Sequence, residues 1–387
     1  NKMSEILDFS EAEFREIKYL YFLSRMERIG NIKIASLVKL FKSAEAVFKA
    51  DLLSIKNTEI LSISNLKNFE NVRKSRASIE TLEKEFSKLL EVCEKKNIKI
   101  TTFLKDDYPK NLKPIYDSPV LLYYRGNLSP NDVYSIGIVG TRTPSDYGRQ
   151  TCEHFAQEFS KLNIPLMSGM AKGVDSICHK TANKFGNINY AILGCGVDVI
   201  YPPENKKLYD EVAEVGAVVS EFPPGTFPDK PNFPKRNRII SGISLGTIII
   251  ESNARGGALI TAGFAIDQDR EVFAVPGHLN SKQSDGTNNL IKKGTAKLVM
   301  NADDVLVELE SKMKNFVKAK YKEEKKVLPN LSKSETVIYN LLGFEPVHID
   351  KIYEGSGFNI SSCLVELLSL EFKGIVRQLP GKYFVRA

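Results

Sequence analysis

The segment from Asn232 to Gly242 concentrates side chains that suit anion binding. Three cations and an amide surround an aliphatic pair in it: Lys235, Arg236, Asn237 and Arg238. The planar guanidinium of arginine matches the oxygen atoms of a phosphate, and lysine adds a compact positive charge. Proline suits the first turn of a helix, so a helix that begins near Pro234 would also present N–H groups to the anion. Taken alone, the segment fits a phosphate site and a solvated charged surface equally well.

Three further motifs place glycine beside a cation where an apolar stretch ends. Their candidate binding residues are Gly140, Thr141, Arg142, Gly169, Lys172, Gly173 and Arg255. Glycine lets a ligand approach the backbone closely, and a helix that follows presents N–H donors to oxyanions. Several strand ends that share one crevice are harder to explain as a solvated surface than any single motif, so we expect one anion site there.

These motifs lie at the strand ends of a chain in which predicted strands and helices alternate. Apolar strands are predicted at residues 135–140, 165–168, 190–193, 217–220, 247–250 and 271–275. Helices are predicted between them at residues 148–162, 174–185, 206–215, 234–243 and 258–267. This alternation predicts a doubly wound, mostly parallel α/β sheet with helices on both faces. Ligands of such sheets bind beyond the carboxyl ends of the strands, where all the candidate residues would meet.

The flanking segments predict two smaller domains. Residues 1–100 show helical periodicity, and residues 28–35 resemble the turn of a helix-hairpin-helix or sterile-alpha-motif-like unit, with a phosphate-binding and a purely structural role both open. Residues 101–313 form the predicted α/β domain, and the lysine-rich stretch 314–330 reads as a basic linker. Residues 331–387 follow the helix–helix–helix–hairpin outline of a winged helix, including a predicted helix at 347–352. This tail is expected to bind duplex DNA, dock a protein or form a dimer or intramolecular contact.

Composition narrows the functional classes. A chain of 387 residues fits two or three domains, and its net charge of +7 suggests a polyanionic partner if the charge is focused. The five cysteines form no CxxC pair and the four histidines have no ligand-like spacing, so we predict neither a disulfide framework nor a metal site. The absence of a signal peptide or a long apolar run predicts a cytoplasmic protein that does not bind membranes.

The motifs of nucleotide chemistry are missing. The sequence has no GxGxxG and no GxxxxGK[ST], so we predict no dinucleotide cofactor and no ATP-driven motor. The strand-end carboxylates have no paired histidine or metal signature, so we predict no catalytic residue and expect them to cap helices or orient arginines: Asp175, Asp198, Glu221 and Glu251. Several phosphates tracked by cations, with Phe222, Phe227 and Phe233 nearby, are typical of single-stranded nucleic-acid binding, although core packing is the alternative for each phenylalanine.

Seven motifs together resemble the DNA-processing protein A family, also called DprA or Smf. They are GIVGTR at 137–142, SGMAKGVD at 168–175, GCGVD at 194–198, YP at 201–202, SE at 220–221, FPKRNRIISG at 233–242 and PG at 276–277. They occur in the family's order across residues 108–309. Lys172 stands where members often carry arginine, and Arg255 begins a turn that is usually richer in serine. Lysine keeps the positive charge at position 172 but lacks the planar fork of arginine that makes a bidentate contact.

The resemblance implies an extended Rossmann fold that binds single-stranded DNA, usually as a homodimer. It also implies protection of incoming DNA and loading of the RecA recombinase during natural transformation. Carried over by motif, the cations and Asn237 would contact phosphates or bases, and the glycines would shape the pocket.

A second hypothesis comes from another class, the nucleotide phosphoribohydrolases of the lysine-decarboxylase-like group. Gly246 and Thr247 precede Glu251 on a predicted strand, and Arg142 would clamp a phosphate. The richer PGGxGT run of that group is absent from residues 244–247. Release of base from nucleoside monophosphates would distinguish the two hypotheses.

Overall fold

The computed structural model describes residues 9–324, 331–343, 346–373, 375–379 and 381–386. The chain divides into two compact units, Asn1–Met313 and Lys314–Ala387. A long helix, Ala302–Glu324, carries helical structure through residues 314–324 of the predicted linker. The remainder of that linker, 325–330, lies outside the described residues.

The first unit begins with a helical subdomain. Its helices are α1 (Glu11–Ser24), α2 (Asn31–Phe41), α3 (Ala44–Lys49), α4 (Leu52–Lys56), α5 (Ile63–Lys74) and α6 (Arg76–Lys95). Ser10 and Glu13 form a capping box at the start of α1, which explains why the helix begins there. Phe22, Phe69 and Phe86 lie in its apolar core, so the three- and four-residue periodicity of the sequence corresponds to a buried face.

Nine strands within the described residues form one sheet. They are β1 (Lys99–Thr102), β2 (Leu121–Gly126), β3 (Ile136–Val139), β4 (Leu166–Ser168), β5 (Asn189–Ile192), β6 (Ala217–Ser220), β7 (Gly246–Ile249), β8 (Glu271–Ala274) and β9 (Lys297–Leu298). Their order is β1-β2-β6-β5-β4-β3-β7-β8-β9. Strands β3 to β9 run parallel, whereas β1 and β2 are antiparallel additions at one edge. The predicted mostly parallel α/β sheet is therefore confirmed.

Helices connect the parallel strands. They are α7 (Asp146–Lys161), α8 (Val174–Lys184), α9 (Lys206–Val215), α10 (Asn232–Ile243), α11 (Ala258–Asp267) and α12 (Asp285–Lys292), with a 3₁₀ turn at Pro203–Asn205. Helix α13 (Ala302–Glu324) follows the last strand, β9. From β3 the chain builds the sheet outward through β4, β5 and β6, then returns to place β7 on the other side of β3. The carboxyl ends of β3 and β7 thus form the topological switch point, where sheets of this type bind ligands.

Helix α10 begins two residues earlier than the sequence predicts. Pro231 occupies the N-cap, so Pro234 is the third helical residue. Because the first-turn N–H groups of a helix have no intrahelical acceptor, proline costs nothing there. Ile239, Ile240 and Ile243 pack into the core and hold the helix against the sheet.

The second unit has the winged-helix arrangement. It contains α14 (Lys333–Leu341), β10 (Val347–His348), α15 (Ile349–Ser356), α16 (Ile360–Phe372), β11 (Val376–Leu379) and β12 (Tyr383–Arg386), and its sheet has the order β10-β12-β11. The helix predicted at 347–352 begins only at Ile349, because Val347 and His348 pair with β12. Asn359 caps α16 by accepting from the Ser362 amide at 2.8 Å. Pro380 of the predicted hairpin turn lies outside the described residues.

Within the described ranges, no helix combines the length and apolarity that crossing a membrane requires.

His179 on α8 is a buried neutral histidine. Its Nδ1 lies 2.7 Å from Asn189 Oδ1, and Asn189 donates its own amide hydrogens to Asn183 and Asn187. Nδ1 therefore carries the proton and donates, while Nε2 has no hydrogen-bond partner among the described residues. Burial is the main reason that the pKa of His179 falls to about 4.

We expect His179 to make the protein acid-sensitive. Between pH 6.5 and about 4 the unfolded chain binds the proton and the folded chain does not, so stability decreases as the pH falls through this window. At about 1.4 kcal/mol per pKa unit, the loss at pH 4 is roughly 3 kcal/mol. Denaturant unfolding at several pH values measures it. A His179→Gln variant should lack this component and His154→Gln, on the surface, should retain it; equal pH profiles for all three proteins would contradict the assignment.

Candidate functional site

A cavity of about 450 Å³ opens at the switch point. We call it the strand-end cavity, and six of the predicted binding residues line it: Gly140, Thr141, Arg142, Arg236, Asn237 and Arg255. A smaller pocket of about 60 Å³ shares Arg142 and Arg236 with it and is also lined by Gly169 and Lys172. Residues separated by more than a hundred positions in the chain therefore meet at one rim, as the alternating pattern predicts.

Gly173 holds the loops of this rim together. Its φ is +79°, and a Cβ at this position would come within 2.5 Å of the Thr141 carbonyl oxygen. The loop after β3 can therefore pack directly on the start of α8, where the Val174 amide donates to Thr141 O at 3.2 Å. On its other side this loop is held by Glu251, whose carbonyl accepts from the Thr141 amide at 2.8 Å.

Arg142 is the exposed cation at the centre of the rim. Its guanidinium lies 5.8 Å from the centroid of the Phe233 ring, a cation–π distance. Phe233 in turn contacts Tyr201, with their ring centroids 5.6 Å apart. Among the described residues Arg142 forms no ion pair, so its hydrogen-bond donors remain available to a ligand. An available guanidinium beside an aromatic surface suits a phosphate with a planar group next to it.

Arg236 has a different environment. Its side chain is buried, and Nη1 donates to the carbonyl oxygens of Gly169 and Ile192, at the ends of β4 and β5. Nε donates to Asn237 Oδ1 at 3.1 Å. Because these donors are occupied, we interpret Arg236 as a brace of the cavity wall, and direct phosphate contact by Arg236 stays a prediction.

Asp175 supplies the buried negative charge near this brace. Burial raises the pKa of the Asp175 carboxyl, and the positive charge of Arg236 opposes that rise. Burial likewise lowers the pKa of Arg236, with Asp175 acting against it. A side chain at Gly169 would overlap both groups, so glycine is required for them to converge there. Asp175 was expected to orient an arginine, and this arrangement agrees with that interpretation.

Lys235 and Arg238 do not line the strand-end cavity, so the prediction of a single crevice is wrong for these two residues. Arg236 and Asn237 face the strand-end cavity, whereas Lys235 and Arg238 line a separate groove beside the helical subdomain. The reason is helical periodicity. Lys235 and Arg238 are three residues apart and therefore share one side of α10, whereas Arg236 and Asn237, between them, project from the other side. Arg238 is moreover buried and paired with Glu221 and with Asp117, the latter at 3.0 Å.

Two other predicted cations differ in availability. Lys172 pairs with the exposed Glu204 at 2.5 Å, an interaction that a ligand phosphate has to displace. Exposed pairs of this kind contribute little stability, so displacement is inexpensive. Arg255 is exposed and lines the same cavity, and its backbone amide donates to Asn253 Oδ1 at 3.2 Å. Arg142 and Arg255 are thus the cations best placed for a ligand.

Glu251, on which the phosphoribohydrolase hypothesis depends, is engaged elsewhere. Its side chain is buried and accepts from the Ser145 amide at 2.9 Å and from the Ser145 hydroxyl at 2.5 Å. It thereby supports the residue that caps α7 and does not line the cavity. Ser145 itself is the cap, so Glu251 positions a capping residue and neither caps a helix nor orients an arginine among the described residues. The phosphoribohydrolase hypothesis is left without its carboxylate in the strand-end cavity.

Sequence reasoning missed Tyr201 and Asn253 as parts of the site. Tyr201 lines the smaller pocket and Asn253 lines the strand-end cavity. The position of Asn253, four residues after the last residue of β7, was a usable signal, since polar residues that follow strand ends face the crevice. Tyr201 belongs to the YP motif at 201–202, which was a signal, and its ring contact with Phe233 places it at the site.

The fold and site define a Rossmann-type protein with a cationic cavity at the switch point and a separate winged-helix unit. The chain belongs to the DNA recombination-mediator protein A family, whose model matches residues 99–310, and the DprA winged helix domain model matches residues 322–382.

Relatives and solved structures agree with this assignment. The chain is 42% identical over 209 residues to DNA processing protein DprA of Streptococcus pneumoniae, which covers 54% of this chain and 73% of the relative. It is 29% identical over 406 residues to Protein Smf of Synechocystis, covering 96% and 99% of the two chains. The X-ray structure of DprA from Streptococcus pneumoniae superposes with a TM-score of 0.65 at 34% identity, over 75% of this chain and 97% of the other.

Proposed function

We propose that this protein binds single-stranded DNA in the strand-end cavity, holds it without chemical turnover, and passes it to the RecA recombinase during natural transformation and homologous recombination. The observation that carries the binding step is the exposed Arg142 guanidinium over the Phe233 ring, with Arg255 lining the same cavity. Cations along a groove with an aromatic stacking surface are the usual means of holding single strands. Family membership supports the DNA-processing context, protection of the strand and action as a homodimer.

The arrangement favours flexible single strands over a rigid helix. Arg142 offers donors to phosphate oxygens while Phe233 offers a ring face, and only an unpaired base can stack on such a ring. Glycine at 140 and 169 lets Val174 and Arg236 pack closely against the strand ends, which fixes the shape of the cavity wall. The site thus accommodates backbone and base together.

Binding to a labelled oligothymidylate should weaken steeply with salt. Each phosphate neutralised on a single strand contributes about −0.7 to the slope of log K against log salt. Contacts from Arg142, Arg255 and Lys172 would give a slope near −2. Fluorescence anisotropy between about 50 and 200 mM salt measures it. An affinity that is independent of salt would refute the proposal, and stimulated RecA filament assembly on coated strands tests the later step.

The winged-helix unit favours protein docking over duplex DNA. Residues 331–387 carry six lysines and arginines against six aspartates and glutamates, so this winged-helix part has no excess positive charge, and the surplus of the second unit lies in residues 314–330. Helix α16, which corresponds to the predicted third helix, exposes Leu364, Val365, Leu368 and Phe372. An apolar surface on a neutral domain cannot supply the counterion release of DNA binding. In the same titration, a chain that ends at Val327 should bind single and double strands as the full chain does; loss of duplex binding alone would restore the DNA role.

A further inference from the structure

A second cavity lies between the helical subdomain and the sheet, on the side of α10 away from the strand-end cavity. We call it the helical groove. Its volume is about 630 Å³, and its walls include the start of α2, the end of β6 and the second face of α10, represented by Gly30, Ile32, Glu221, Phe222, Lys235 and Arg238. The groove is therefore lined by Lys235 and Arg238, the two predicted cations that do not line the strand-end cavity. It is also lined by residues of the turn at 28–35, for which the sequence leaves a phosphate-binding role open.

The first turn of α2 opens into this groove without a side-chain cap. Gly30 is the N-cap residue and makes no capping hydrogen bond, and the space around the position of a Cβ there is empty. The helix has 11 residues, enough for its aligned peptide dipoles to favour an anion at this end. The N–H groups that follow Gly30 suit a phosphate oxygen.

The charged side chains around the groove favour the binding of an anion. Four cations line it against two carboxylates: Arg25, Lys33, Lys235 and Arg238 against Asp117 and Glu221. Both carboxylates are already paired with Arg238, and Arg25 is paired with Glu85 at 3.2 Å. Lys235 is exposed and forms no ion pair within the described part of the chain, so its charge is available at the edge of α10. The groove thus presents net positive charge to a ligand.

A second, independent feature calls for a hydrogen-bond donor. The Glu221 side chain is only 10% exposed, and its Oε2 accepts from Arg238 and from Asn31 Nδ2, the latter at 3.3 Å. The other oxygen, Oε1, is buried and has no partner among the described residues. A buried acceptor without a donor costs free energy, which a ligand that supplies an N–H would recover. Base edges of nucleic acids carry such N–H groups, and Phe222 offers a ring beside the carboxylate.

From these observations we infer that the helical groove is a second single-strand subsite, which takes a nucleotide with its phosphate at the start of α2 and Lys235 and its base at Phe222 and Glu221. The inference rests on the proposed function, because the same strand would occupy both cavities. Helix α10 separates them, and a helix with its side chains is about 10–12 Å wide. A strand long enough to cross α10 engages both sites, and a shorter one fills only the strand-end cavity.

The test compares Ile32→Glu with Leu53→Glu. Both residues are the second of their helices, both are partly exposed apolar side chains, and only Ile32 lines the groove. Glutamate near a helix start is compatible with folding, yet at position 32 it repels a phosphate. Anisotropy is measured with oligothymidylates of about 4 and about 20 nucleotides, which bracket common site sizes.

We expect Ile32→Glu to bind the long strand about 10-fold more weakly than wild type and the short strand equally well, while Leu53→Glu matches wild type with both. Ile32→Glu binding equal to Leu53→Glu at both lengths overturns the subsite and leaves the proposed function standing. If the wild-type protein binds neither strand, the proposed function itself fails. Thermal unfolding of both variants shows whether a weaker long-strand complex reflects the groove or a damaged fold, and a damaged fold also overturns the assignment to Ile32.

Discussion

Replacing Arg236 with alanine should lower the free energy of unfolding by about 3–5 kcal/mol, the usual cost of removing one partner from a buried charge cluster. The substitution deprives the Gly169 and Ile192 carbonyls of their donor and leaves the buried Asp175 without its nearby positive charge. Chemical denaturation measures the loss. Lys235→Ala is the matched control, because Lys235 is the neighbouring residue and its side chain is exposed. Its free energy of unfolding should change by no more than about 0.5 kcal/mol.

The pH dependence of this variant identifies the cause. Without Arg236, the pKa of Asp175 should rise further, so the folded state holds a proton that the unfolded state has released. The stability of the variant then falls as the pH rises from the unfolded-state pKa of Asp175 through its folded-state pKa. The stability difference between the variant and the wild type is therefore smaller at acidic pH. Adding Asp175→Asn should remove this trend and restore part of the lost stability. A loss below about 1 kcal/mol, or a double variant no better than the single one, would show that Arg236 does not brace the fold.

Arg142→Ala should weaken single-strand binding by about 10-fold to 100-fold without loss of stability. A hydrogen bond to a charged group contributes about 1.5–3 kcal/mol, and each 1.4 kcal/mol is a factor of ten. The guanidinium is exposed and lacks an ion pair in the described chain, so its removal leaves no buried group unsatisfied. The salt slope should also become less negative by about 0.7.

Arg149→Ala provides the control for this measurement. Arg149 is an exposed arginine in the first turn of α7, a few residues beyond Arg142, and it does not line the strand-end cavity. Its removal lowers the net charge by the same amount, so it reports the effect of general electrostatic attraction. If Arg142→Ala and Arg149→Ala bind equally, the strand-end cavity is not the binding site.

The contrast between Arg142 and Arg236 shows how far sequence reasoning reaches. Both arginines belong to motifs at strand ends, and both were expected to contact phosphates. The sequence places each near the rim, because the carboxyl ends of parallel strands lie at one edge. It does not reveal that Arg236 points inward to the Gly169 carbonyl while Arg142 points outward over Phe233. Burial depends on neighbours from distant strands, which local sequence does not encode.

The segment around α10 shows most clearly which features the sequence determines and which the tertiary structure decides. From sequence alone, the alternation of apolar runs and helical windows determined the parallel sheet, and glycine and arginine at the run ends indicated the edge of the sheet at which the candidate site lies. Only the tertiary structure decided that α10 divides its own cations, with Arg236 and Asn237 on one side and Lys235 and Arg238 on the other. The physical reason is that periodicity fixes which residues share a helix face, whereas packing against the sheet and the helical subdomain decides where each face points.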